Sequence, residues 1–215
     1  MSSVFFRNRK RHLFVGTFWF LFFAYSGQLM VIDQAAATVR SSRAGPLLTI
    51  ILDGFSLLVT VWVMYKIIFN PAVTVGLALS GHLPWKRTAI FIFSQLIACM
   101  CAGAVVKVLF PGNVASLNTT LAPGVNIAQG LFAEVFFTSY LVFVVLILAV
   151  EKSRDTFLAP IGNGLALFMA EIPASDAAVA AAYFPGYHWI NWIGPGLGAL
   201  IASGYYRFVK VCLPL

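Results

Sequence analysis

Charge is scarce in this chain. Lysine and arginine together number 14, aspartate and glutamate 7, so charged residues make up 10% of the 215. A soluble domain carries roughly a quarter. With 60% hydrophobic residues and a mean hydropathy of +0.90, the composition excludes a water-soluble globular protein and defines a polytopic membrane protein. Cysteine is equally sparse: Cys99 and Cys101 fall inside an apolar run and Cys212 near the end, which excludes a disulfide framework. His12, His82 and His188 stand too far apart to form a metal site. No phosphate-binding glycine loop and no catalytic triad is present, so neither an enzyme nor a cofactor is expected. The net charge of +7 does not describe a nucleic-acid surface either, because the basic residues sit between apolar spans rather than along one face.

What is abundant is membrane-length apolar sequence. Six segments can be drawn, over Leu13–Ile32, Pro46–Tyr65, Thr88–Phe110, Gln129–Val150, Thr156–Glu171 and His188–Val209, with a shorter piece at Pro71–Leu79. A bilayer span needs about 20 residues. Placing both termini in the cytoplasm puts 11 of the 14 basic residues inside and leaves only Arg40, Arg43 and Lys107 outside, as the positive-inside rule requires. Arg7, Arg9, Lys10 and Arg11 hold the N-terminus in the cytoplasm and make the first segment an anchor. The same topology puts the sequon Asn118-Thr119-Thr120 in an outer loop, as a glycosylation candidate.

The most informative motif is Asn70-Pro71-Ala72. Proline lacks an N–H and is a poor residue for a helix interior, but Asn as cap and Pro as first helical residue make a strong helix start. A helix that begins at membrane depth exposes polar backbone, which is tolerated only when buried in protein or lining a water-filled cavity. The matching element in the second half reads Ile172-Pro173-Ala174-Ser175. The chain also echoes itself: Gly16-Thr17-Phe18 with Phe137-Thr138-Ser139, and Gly54-Phe55-Ser56-Leu57 with Gly164-Leu165-Ala166-Leu167. Three spans per repeat is an odd number, so the second copy inserts upside down. Inverted repeats with interrupted helices place their functional site near the midplane.

These residues, together with Gln95, Ala133-Glu134, Thr138 and the run Phe184-Pro185-Gly186-Tyr187-His188-Trp189-Ile190 ahead of Gly194-Pro195, resemble the aquaporin (major intrinsic protein) family, with motifs similar to its orthodox fungal members. The resemblance covers about residues 12–210. It implies an all-α membrane fold of three plus three transmembrane helices with a re-entrant half-helix, and a homotetramer with one narrow pore per subunit. Residues 1–12 are then a cytoplasmic tail. Residues 13–210 form one domain, with repeats at about 13–110 and 129–210, and 211–215 close the chain. The partners implied are the lipid bilayer and water or a small neutral solute. The membrane is the plasma membrane or an internal one.

The resemblance assigns Asn70, Pro71 and Ala72 to one half of the pore, and Ile172, Pro173, Ala174 and Ser175 to the other, where family members carry a second Asn-Pro-Ala-Arg. Ile172 has no donor for water, and Ser175 replaces the pore-narrowing arginine. Ser175 followed by Asp176 still gives a favourable cap and first turn for a short alanine-rich helix, Asp176–Tyr183. Asp53 falls where the second helix places a pore-lining aromatic, Glu171 where the fifth offers a polar filter residue, and Phe69 immediately before the first motif. All three are candidate pore-lining residues; an intramembrane carboxylate is costly and functional by default.

Length constrains the second half-site further. Asn70 follows Gly54 by 16 positions, whereas Ile172 follows Gly164 by only 8, a deficit of roughly 12 Å of helix. A fifth span over Thr156–Glu171 would measure about 24 Å against a core of about 30 Å, leaving no chain to descend to the midplane. In the first repeat, Ile67–Phe69 must cover about 15 Å, so the second helix is expected to end early, near Trp62. Two functions follow: a water or small-solute channel that conducts weakly or not at all, or a non-conducting subunit with a structural or regulatory role in hetero-oligomers.

Overall fold

The computed structural model describes residues 3–37, 44–64, 67–117, 119–122, 124–151, 157–180 and 186–212; over 3–10, 34–37, 44–46, 115–116, 119–120 and 172–180 only the backbone is described. Seven α-helices form among the described residues: α1 Ser3–Ala37, α2 Ala44–Val63, α3 Pro71–Leu79, α4 Trp85–Leu109, α5 Ile127–Val145, α6 Ala159–Ala177 and α7 Ile190–Cys212. Six are long and α3 is the half-helix. Helix α1 begins at Ser3, so most of the expected N-terminal tail is helical, and α7 carries the chain to Cys212. Among the described residues, three stretches, Arg11–Asp33, Trp85–Leu109 and Ile127–Val150, are long and apolar enough to cross a membrane. Phe23, Phe55, Phe93, Val108, Phe136 and Trp192 project outward from the bundle. An apolar surface of this kind is a liability in water and a requirement in lipid.

The two repeats pack alike. Helix α1 lies on α2 and α4, as α5 lies on α6 and α7, and α2 crosses α6 between the repeats. The crossing is set by the glycines that the internal echo pairs. A Cβ on Gly164 would lie 2.7 Å from the Gly54 carbonyl and 2.6 Å from Leu58 Cβ, so only glycine lets the two backbones meet. Close approach of small residues is the main source of helix association in lipid, where apolar burial offers little. The α5–α7 seam follows the same logic at Gly194 and Gly198, which abut Glu134 and the Val135 carbonyl.

Helix α5 opens with a capping box: Asn126 Oδ1 accepts from the Gln129 N–H at 2.8 Å, and Gln129 Oε1 accepts from the Asn126 N–H at 2.9 Å. Its last turn, Leu146–Val150, widens into a π-helix. On the face that carries the termini, Lys210 pairs with Glu151 at 2.8 Å and Tyr206 donates to the same carboxylate. On the far face, strand β1 (Thr119–Leu121) pairs antiparallel with β2 (Ala178–Ala180). The sequon residue Asn118 lies outside the described residues.

The second repeat departs from expectation. Helix α6 does not stop at Glu171 but continues through Ile172-Pro173-Ala174-Ser175 to Ala177. Ser175 and Asp176 are therefore the end of a helix rather than the start of one. The expected half-helix over Asp176–Tyr183 does not form, since Ala178–Ala180 is strand; residues 181–183 lie outside the described residues. The reason is the missing linker: with no chain to fold back, the helix runs on, although Pro173 removes the bond to the Met169 carbonyl and crowds it with its ring, a cost of about 3 kcal/mol. At 19 residues α6 is about 28 Å long, so its shortfall against the bilayer is smaller than a 16-residue span implies.

Two outcomes test this packing. Gly164→Val is expected to cost about 1–3 kcal/mol by forcing α2 and α6 apart, read as a lower unfolding temperature in detergent. Gly103→Ala meets nothing within 4 Å and serves as a neutral or stabilising control. The Glu151–Lys210 pair is the second. Hydrogen bonds from Lys210 and then Tyr206 hold the Glu151 carboxyl below its ordinary range. Its stabilisation is present above the unfolded-state value of about 4.3 and is lost as pH falls through the lower folded value. Glu151→Gln is expected to lower the unfolding temperature slightly at neutral pH, with the gap to the parent chain closing in acid.

Candidate functional site

The half-helix and the segment leading into it build the site. Helix α2 ends at Val63, close to the expected Trp62, and Ile67–Asn70 descends without helical structure. Asn70 is in extended conformation (φ −124°, ψ 130°), and its Oδ1 accepts from the Ala72 N–H at 2.8 Å. Pro71 is the first helical residue, as its fixed φ and missing N–H favour. With Oδ1 occupied by the cap, the Asn70 amide keeps its Nδ2 hydrogens for whatever lies in front of the helix.

Gln95 of α4, 1% exposed, holds the descending segment in place. Its Nε2 donates to the Ile68 carbonyl at 2.9 Å and to Thr74 Oγ1 at 3.0 Å, while Thr74 Oγ1 donates to the Asn70 carbonyl at 2.9 Å. The far end of α3 is secured by α7, where Ser203 Oγ donates to the Gly76 carbonyl at 3.0 Å and Arg207 donates to Leu79 O. Behind the half-helix, Ala72, Val73 and Leu77 pack into one buried cluster with Val142, Leu146, Ala199, Ala202 and Tyr206. Phe69 turns onto Gly16 of α1, where a Cβ would collide with the ring.

In front of α3 lies a cavity of about 210 Å³ bounded by α1, α2, α5 and α6. Asn70 and Phe69 line it; apart from Asn70 and Asn163 of α6, every side chain on its wall is apolar. Val145 and Val150 reach the same wall because the π turn brings the residue five positions on over its predecessor. Asn163 was not legible as a site residue, because a single Asn in an apolar run carries no spacing signal. Its place between Gly162 and Gly164 is the one hint the sequence offers.

Asp53 and Glu171 do not line this cavity. They sit one turn further toward the far face, on α2 beyond Leu57 and on α6 beyond Leu167. Asp53 is 6% exposed and accepts from Gln28 Nε2, while its Oδ1 has no partner among the described residues; neither has Glu171 Oε2. Asp53 and Glu171 thus lie on the far-face side of the cavity, each with a buried oxygen that has no partner among the described residues. Of Ile172, Pro173, Ala174 and Ser175, the described backbone is helical, and no second half-helix faces α3 among the described residues. No cluster of three metal-ligating side chains occurs among the described residues.

A helical membrane scaffold of two inverted repeats, carrying a capped half-helix over an internal cavity, is the framework of a channel rather than of an enzyme. The comparisons with known proteins give the family. The profile of the Major intrinsic protein family matches residues 4–206. Probable aquaporin-3 of Gibberella zeae is 53% identical over 218 residues, covering 92% of this chain and 76% of that one. Aquaporin-7 and aquaporin-2 of Botryotinia fuckeliana are each 43% identical, again over 92% of this chain, which spans 48% and 57% of their lengths. The X-ray structure of the aquaglyceroporin from Plasmodium falciparum shares the fold, with a TM-score of 0.75 over 95% of this chain and 98% of that one, at 17% identity. The chain belongs to the major intrinsic protein family.

The role of Gln95 can be tested directly. Gln95→Leu leaves the Ile68 carbonyl without its donor, at a cost of about 1–3 kcal/mol. Backbone amide exchange over 67–79 is expected to accelerate roughly 5- to 150-fold, with α7 little changed, as read by hydrogen-exchange mass spectrometry.

Proposed function

We propose that this chain is a subunit for water or small neutral solutes whose own pore conducts weakly or not at all. One observation carries the reading: α3 has a capped N-terminus over a cavity, while α6 runs straight through the segment that would supply the opposing half-site. In this reading Asn70, Pro71 and Ala72 form the inner half of the pore, with Phe69 beside them. The N-terminal end of α3 carries partial positive charge toward the midplane and opposes cations. Ile172, Pro173, Ala174 and Ser175 supply neither the second amide nor the arginine. Asp53 and Glu171 belong to the outer half of the same path, and Asn118 is the glycan acceptor on the outer side.

The subunits assemble as a homotetramer with both termini in the cytoplasm, in the plasma membrane or an internal membrane, and the two repeats make a single domain over about residues 13–210. A second reading, a non-conducting partner for full-length channels, draws on the same asymmetry: the repeat framework and its lipid-facing surface are intact where the pore half-site is not.

Stopped-flow swelling of proteoliposomes, with protein incorporation quantified, tests the proposal. Water permeability is expected near that of empty vesicles, and permeability equal to an intact family member would overturn it. Ile172→Asn alone is expected to leave the rate unchanged. Replacing the segment by a full Asn-Pro-Ala-Arg loop with its linker is expected to raise it at least about tenfold, the effect of lowering a barrier by about 1.4 kcal/mol.

A further inference from the structure

We infer that Asn163 is a second polar anchor of the inner cavity, pairing with Asn70 to hold a small hydroxylic guest, of which water is the smallest. Asn163 is 5% exposed, lines the cavity, and its Oδ1 has no hydrogen-bond partner among the described residues. A buried amide oxygen left without a donor costs about 1–3 kcal/mol, and buried polar groups in folded proteins are almost always satisfied by protein or ordered water. The cavity is large enough for such a guest, since one water needs only about 10–15 Å³ measured in the same way.

The two amides are complementary. Asn70 spends its Oδ1 on the Ala72 N–H and keeps hydrogens to donate; Asn163 keeps an acceptor oxygen. A hydroxyl can accept from the first and donate to the second. A guest with acceptors alone satisfies only Asn70, and one with donors alone only Asn163. The rest of the wall (Leu57, Val61, Val73, Leu141 and Val145 among others) offers nothing polar to compete.

The rotation of α6 that presents Asn163 is set chiefly by Gly164, which is locked against the Gly54 carbonyl and the Leu58 backbone of α2, while Gly162 leaves room for the Leu148 side chain. Asn163 is therefore held on the cavity wall by the packing of its helix and not by a hydrogen bond of its own.

This assignment rests on reading the cavity as the inner half of a pore, but it concerns occupancy and not flux, so a closed pore leaves it standing. The test is a structure of the full chain in lipid nanodiscs, at a resolution that shows ordered water and with water as the probe. Density within hydrogen-bond distance of Asn163 Oδ1 is expected in the parent chain, retained in Asn163→Thr and lost in Asn163→Leu, with Asn70 unmoved. Thermal unfolding supplies the second readout. If the guest satisfies Asn163, Asn163→Leu leaves the unfolding temperature unchanged or lower. Absence of density beside Oδ1 in the parent chain would overturn the inference. So would a higher unfolding temperature for Asn163→Leu, because removal of a truly orphaned amide relieves its desolvation cost.

Discussion

Everything in the first half of this protein depends on one side chain satisfying backbone that lipid cannot. The segment Ile67–Asn70 leaves helical geometry among apolar helices, where a free carbonyl costs far more than it would in water. Gln95 supplies the donor from α4 and ties Thr74 into the same network. Given those bonds, the chain can turn, Asn70 can cap, and α3 can start inside the bundle. Without them, running the helix onward is the lower-energy course. The second repeat takes that course: α6 stays helical through Ser175 to Ala177, with its ladder interrupted only at Pro173.

The two repeats therefore differ in one element while sharing a frame. Glycines at equivalent positions, Gly54 and Gly164, face each other across the pseudo-two-fold axis. That contact needs no half-helix on either side, which is why loss of one half-site leaves the crossing of α2 and α6 in place. Stability and pore chemistry are carried by different residues here, and one can decay without the other.

Much of this was legible beforehand. Helix α3 spans the Pro71–Leu79 piece drawn from the sequence, because an Asn-Pro start and an apolar run leave little freedom. The end of α2 followed from the distance three residues can cover. The limits of α6 were not legible: Pro173 and Ser175 read as punctuation, yet a helix with no linker after it passes through both. Asn163 escaped notice because its importance comes from the cavity wall and not from any neighbour in sequence. The carboxylates of Asp53 and Glu171 were visible as anomalies, but only the helix packing reveals that both lie beyond the cavity and not on its wall.

The short ladder on the far face has a consequence for how the chain is made. Thr119 pairs with Ala180, and between them lie the whole of α5 and α6. That pairing cannot exist until both helices have crossed the membrane and their connecting turns have emerged on the correct sides. It joins the connection between the repeats to the connection within the second one, and so closes a loop around α5 and α6. A chain stalled with α6 uninserted presents β1 as a bare edge, open to other strands. Completed β1–β2 pairing is thus a local mark that α5 and α6 are both in place, set before α7 follows.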